Sequence, residues 1–182
     1  MLFVGHWADQ GLFRDFVDEL LVEKLSPIIG SYAIPNLSRV RIFSHSGGYY
    51  VIGNMAIVGG LSDVVMDLTL LDSLYTDFAQ FDSYVNNNLC NFGTTVTQSR
   101  FTSLYTVDGG TYSNNVAMSK RASSWVSSSS CVDAKILYIN DDASVDLTTN
   151  TIANQSLIFK LSNLSHNDMP RNDFYKFLVG AV

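Results

Sequence analysis

Between residues 9 and 25, Leu12, Phe13, Phe16, Val17, Leu20, Leu21 and Leu25 recur at three- and four-residue spacings, with Asp and Glu on the other face. That period predicts an amphipathic helix, with Pro27, Gly30 and Pro35 expected to end it. The period then shortens. Residues 39–43 (RVRIF) read as a strand that stops at Ser44-His45-Ser46-Gly47-Gly48, and residues 49–58 as a buried helix closed by Gly59-Gly60. Further strands are expected over 63–71, 100–107, 134–140 and 155–161, with helices over 78–89 and 114–126. The serine tract 127–130 reads as a solvated loop, and Pro170 as the opening of a last helix through 179. Strands alternating with helices predict an α/β fold: a three-layer αβα sandwich around a mostly parallel sheet, in one domain spanning 1–182.

Composition narrows the classes of partner. Apolar residues make up 47% of the chain and charged residues 15%, enough apolar material for a core and too much for disorder. The net charge is −6, and the basic residues are scattered rather than gathered on one stretch, which argues against a nucleic-acid partner. No apolar run is long enough to span a membrane. The start, Met1 to His6, lacks a basic region ahead of its apolar residues, so it does not read as a signal peptide, and a cytoplasmic location is favoured. Cys90 and Cys131 have no metal-ligand spacing and read as isolated buried thiols. No metal or organic cofactor is implied. Asp108-Gly109-Gly110 lacks the lysine of a phosphate loop, and Asp141, Asp142 and Asp146 lack the glycine and glutamate of a calcium loop, so both read as turns.

The segment RVRIF-SHSGG-YYVIGNMA carries the chemistry. A strand feeds a run of small residues and a helix leaves it. A serine at the centre of such a turn stands clear of the sheet, at a helix N-terminus whose backbone N–H groups favour developing negative charge. Strand and helix approach closely there, so the positions two before and two after Ser46 must be small, as Ser44 and Gly48 are. Gly47 is the candidate for one oxyanion N–H. A serine hydroxyl needs a base, and the base needs a carboxylate to orient it. The histidines are His6, His45 and His166. His45 adjoins Ser46 and points elsewhere from the turn, whereas His166 follows the last strand and is the candidate base. Asp72 and Asp108, each at the end of a strand, are the candidate acids, on the sheet edge where open α/β sheets bind ligands.

Ser44-His45-Ser46-Gly47-Gly48 resembles the nucleophile elbow of the α/β-hydrolase superfamily, and the order Ser46, Asp72 or Asp108, His166 is the order that fold uses. HSGGY together with LLDSLY is similar to bacterial members of that superfamily. The resemblance runs from Leu12 to the C-terminus and implies Asp72 as the acid, with Asp108 as the alternative. It also implies a reduced fold, with its N-terminal strands missing or shortened and no large lid. Residues 1–6 are then a remnant strand, with His6, in Gly5-His6-Trp7, the candidate for the second oxyanion region. Tyr49, Tyr75 and His45 are candidate substrate contacts. The expected function is a serine esterase acting on a small-molecule acyl substrate through an acyl-enzyme. Two other readings remain open: a non-catalytic binding module that pairs with a second copy into a homodimer, and an amidase or peptidase using the same triad.

Overall fold

A computed structural model describes residues 6–30, 37, 39–76, 79–92, 99–130 and 136–172. Five parallel strands form one sheet in the order β1-β2-β3-β5-β4, where β1 is Val40–His45, β2 Val65–Leu71, β3 Arg100–Tyr105, β4 Leu137–Asn140 and β5 Leu157–Leu161. Helices lie on both sides, as the alternation predicts. Because side chains alternate along a strand, each strand serves two cores. Leu68 and Leu70 of β2, Phe101 and Tyr105 of β3 and Phe159 of β5 face the larger one. It is closed by α1 (Leu12–Glu19), α3 (Tyr49–Ile57), α4 (Ala79–Asn87) and α5 (Tyr112–Ser128), through Phe13, Ile52, Phe81 and Met118. Leu71, Leu104 and Ile158 face the smaller core, with Ile152 of α6 (Thr149–Asn154) and Met169 of α7 (Met169–Asn172). No helix among the described residues is long and apolar enough to cross a membrane.

Several elements differ from the pattern expected of the sequence. The first helix does not stop at Pro27: α1 continues through a π-helical segment, Leu20–Leu25, into α2 (Ser26–Ile29). Pro27 falls in the first turn of α2, where its missing N–H costs little, and Ser26 Oγ donates to the Leu21 carbonyl at 2.8 Å. The helix ends at Gly30, one of the expected breakers, whose φ is 93°. The serine tract is half helical, since α5 runs to Ser128, with Ser127 and Ser128 hydroxyls returning to the carbonyls of Ser123 and Trp125. Helix α6 has no counterpart in the apolar periodicity. Thr148 caps it by accepting from Thr151 N at 3.1 Å. Cys90, expected as an isolated thiol, is disulfide-bonded, and the chain holds one other cysteine, Cys131, outside the described residues. Such a cross-link typically contributes about 2–4 kcal/mol. The remnant strand expected over 1–6 also falls outside them, apart from the single turn His6–Ala8, and so does the last helix beyond Asn172.

Candidate active site

Strand β1 ends at His45, and a single 3-10 turn, Ser46–Gly48, leads straight into α3. Ser46 has φ 55°, a backbone conformation that costs a residue with a Cβ on the order of 1–2 kcal/mol. The turn is tight because strand and helix nearly touch: a Cβ on Gly48 would lie 3.1 Å from Ser44 Cβ. A chain of buried hydroxyls holds it. Ser44 Oγ donates to Ser73 Oγ at 2.8 Å, and Ser73 Oγ donates to the Ser46 carbonyl at 2.6 Å. Among the described residues no side chain caps the turn or α3. The Gly47 N–H precedes the turn's first internal hydrogen bond, which the Gly48 N–H makes, and is the orphan donor at this helix start.

One strand over, β2 ends at Leu71, and Asp72 follows at φ 45°. Ser46 and Asp72 are the two non-glycine residues with positive φ among the described residues. Asp72 is fully buried, its N–H donating to the Leu104 carbonyl at 2.7 Å. Its carboxylate accepts from Thr106 N at 3.1 Å and Thr106 Oγ1 at 2.8 Å, from Thr111 Oγ1, and from His166 Nδ1 at 2.7 Å. Burial pushes the carboxyl pKa up. The hydrogen bonds from Thr111, His166 and Thr106 outweigh that push and hold it below the ordinary value. Asp72 is therefore ionised at neutral pH. This packing leaves no space over it: a Cβ at Gly109 would fall 1.9 Å from Asp72 Oδ2, so Asp108-Gly109-Gly110 is a turn whose middle residue must be glycine. Asp108 itself is exposed on that turn, and the carboxylate beside His166 is that of Asp72.

His166 lies on the loop after β5. With Nδ1–H given to a carboxylate, its Nε2 carries the lone pair, which is the tautomer a general base requires. The ring is held on further sides. His45 lies against it with ring centroids 4.4 Å apart and planes at 33°, and His45 Nε2 donates to the His166 carbonyl at 2.8 Å. A carbonyl only accepts, so that His45 nitrogen carries a hydrogen. Tyr75 meets the His166 ring edge-on at 6.3 Å, and Tyr49 lies 6.2 Å from Tyr75. Tyr75 is exposed, whereas Tyr49 packs on the larger core. The hydrogen bonds among the described residues do not include one from Ser46 Oγ to His166. Contacts of this kind are often long without substrate and tighten when it binds. The side chain of His6 lies outside the described residues.

Thr106, Thr111, Ser73 and Gly109 escape a reading of the sequence for chemistry. Ser73 adjoins Asp72 in LLDSLY, but nothing in its spacing announces that it reaches back to Ser46. A separate cavity of about 230 Å³ opens at the β5 side of the sheet, lined by Leu104, Leu147, Lys160 and Leu164 among others and not by Ser46. Asp146 is its acidic lining residue, while in the preceding turn Asp142 accepts from Ser144 N and Oγ and Asp141 accepts from the Tyr105 hydroxyl. Compared with known proteins, the chain matches no family model, no curated protein and no solved structure.

Proposed function

We propose that the chain is a serine hydrolase of the α/β-hydrolase type that cleaves a carboxylic ester or a related acyl compound. The reading rests on one observation: among the described residues the two non-glycine residues with left-handed backbone, Ser46 and Asp72, directly follow neighbouring parallel strands, and Asp72 holds the ring of His166. Backbone strain of this sort persists only where surrounding structure enforces it, and it concentrates at functional sites. Here buried hydroxyls enforce it at Ser46, and a close-packed threonine cage enforces it at Asp72.

In the proposed reaction Ser46 Oγ attacks the acyl carbonyl while His166 Nε2 takes its proton. Negative charge on the carbonyl oxygen is met by the Gly47 N–H at the head of α3. Asp72 remains ionised and stabilises the imidazolium that forms. The tetrahedral intermediate collapses by breaking the bond to the leaving group, which departs with the proton from His166. Water then attacks the acyl-enzyme, giving a proton to His166, which returns it to Ser46 Oγ as the acid is released. Labelling with a fluorophosphonate and locating the adduct by peptide mass spectrometry tests this. A stoichiometric adduct on Ser46, lost in Ser46→Ala and strongly slowed in His166→Ala, is the expected result. Well-folded protein that gains no adduct on Ser46 would overturn the proposal.

A further inference from the structure

We infer that His45 is a positioning residue for His166, an inference that rests on the proposed role of His166 as the base. The two rings lie 4.4 Å apart at 33°, and the His45 Nε2–H reaches the His166 carbonyl at 2.8 Å, so one side chain holds both the ring and the backbone of the base. The arrangement answers a mechanical difficulty. His166 comes from a loop 94 residues from Asp72 in sequence, and its side chain keeps 27% exposure. One hydrogen bond to Asp72 leaves an imidazole free to swing about that bond. A stacked ring from the residue before Ser46 removes that freedom.

His45 is the last residue of β1 and stands across from Leu71 of β2, next in sequence to Asp72. The strand that delivers Ser46 therefore also carries the support for its base, and the distance from nucleophile to base becomes a property of one rigid element. Its nitrogen facing the His166 carbonyl is occupied as a donor, which separates this role from that of a second base. Tyr75 also meets the His166 ring edge-on, with its hydroxyl 3.5 Å from Nδ1.

The test uses the full chain and three variants. His45→Ala removes stack and hydrogen bond, His45→Phe keeps a ring without the donor, and His45→Gln keeps a donor without the ring. With p-nitrophenyl acetate, His45→Ala is expected to lower kcat by roughly tenfold to a hundredfold with KM little changed, the scale of a misplaced catalytic group. Fluorophosphonate labelling should slow in parallel. His45→Gln and His45→Phe should each recover part of the rate, with thermal midpoints close to that of the parent chain. Wild-type rates in His45→Ala would overturn the inference. So would losses that follow the thermal midpoint equally in all three variants. A proton NMR measurement of the downfield His166 Nδ1–H resonance separates this inference from the functional proposal. If Ser46 is never labelled in the parent, the hydrolase reading fails, yet the resonance still decides whether His45 orders His166. Loss or broadening of the signal in His45→Ala supports positioning, and an unchanged signal rejects it.

Discussion

Strand β2 carries two buried carboxylates, and they are held in opposite ways. Asp67, near the start of the strand, sits between Arg39 and Arg41, with ion-pair distances of 2.9 Å to each. Arg100 stands beside it on β3 in the register of the sheet, and its burial pushes the guanidinium pKa down while Asp67 pushes it back up. Asp72, just past the other end, is surrounded by hydroxyls and one backbone N–H, with a single imidazole as its titratable partner. Permanent cations neutralise the first carboxylate and tie it into the structure. Uncharged donors keep the second ionised without cancelling its charge, and it faces His166. Under the proposed function the first carboxylate fastens the sheet and the second serves the reaction.

Exchanging each carboxylate for its amide should separate the two roles most strongly. Asp72→Asn should lower kcat by about 1,000- to 10,000-fold, because the amide no longer selects the productive tautomer of His166. Steady-state hydrolysis of an activated ester measures it, with circular dichroism to verify the fold. Asp67→Asn should leave the activity of folded protein nearly intact but cost about 2–4 kcal/mol in urea unfolding, since the arginines are partly solvated and lose one charge partner. Comparable activity losses in the two variants would erase the distinction between the carboxylates.

Smaller changes sharpen the same contrast. Gly109→Ala should cost about 1–3 kcal/mol of stability by overpacking and displace the Asp72 carboxylate, slowing fluorophosphonate labelling as well. Thr111→Val removes one donor and should cost about 1 kcal/mol in urea unfolding, with a several-fold slower labelling rate. The least effect is in acid. The Asp72 pKa is depressed in the folded chain, so the stability it contributes is fully present above the ordinary carboxylate value of 3.8 and is lost as pH falls through the lower folded value. Urea midpoints of the parent and Asp72→Asn should therefore converge in that window. A gap that stays constant or widens there would contradict the hydroxyl-cage account.

Much of the frame is legible in the sequence. The strands over 39–43, 63–71, 100–107 and 155–161 and the helices between them lie within a few residues of β1, β2, β3, β5, α3, α4 and α5. Ser44 and Gly48 are small, as a close approach of strand and helix requires, and a Cβ on Gly48 would lie 3.1 Å from Ser44 Cβ. The misjudged places were those where local chemistry overrides a composition rule. Pro27 enters the helix because a first turn forgives it. Helix α6 rests on a threonine cap rather than an apolar stripe, and Cys90 found a partner that spacing does not reveal.

The sequence by itself determined the alternation of strand and helix and the small-residue turn around Ser46. It also set the candidate acids and base at strand ends, because periodicity and residue size act over neighbouring positions. The resemblance in LLDSLY favours Asp72 over Asp108, and the fold is what brings the Asp72 carboxylate to His166. By residue spacing alone both are strand-end acids, and parallel register brings Thr106, Thr111 and the Gly109 turn down onto Asp72. The hydroxyl relay from Ser44 through Ser73 to Ser46 and the stack of His45 on His166 are likewise contacts between distant segments. Such contacts leave no period in the chain, because they arise only when strands that are far apart in sequence become neighbours in the sheet.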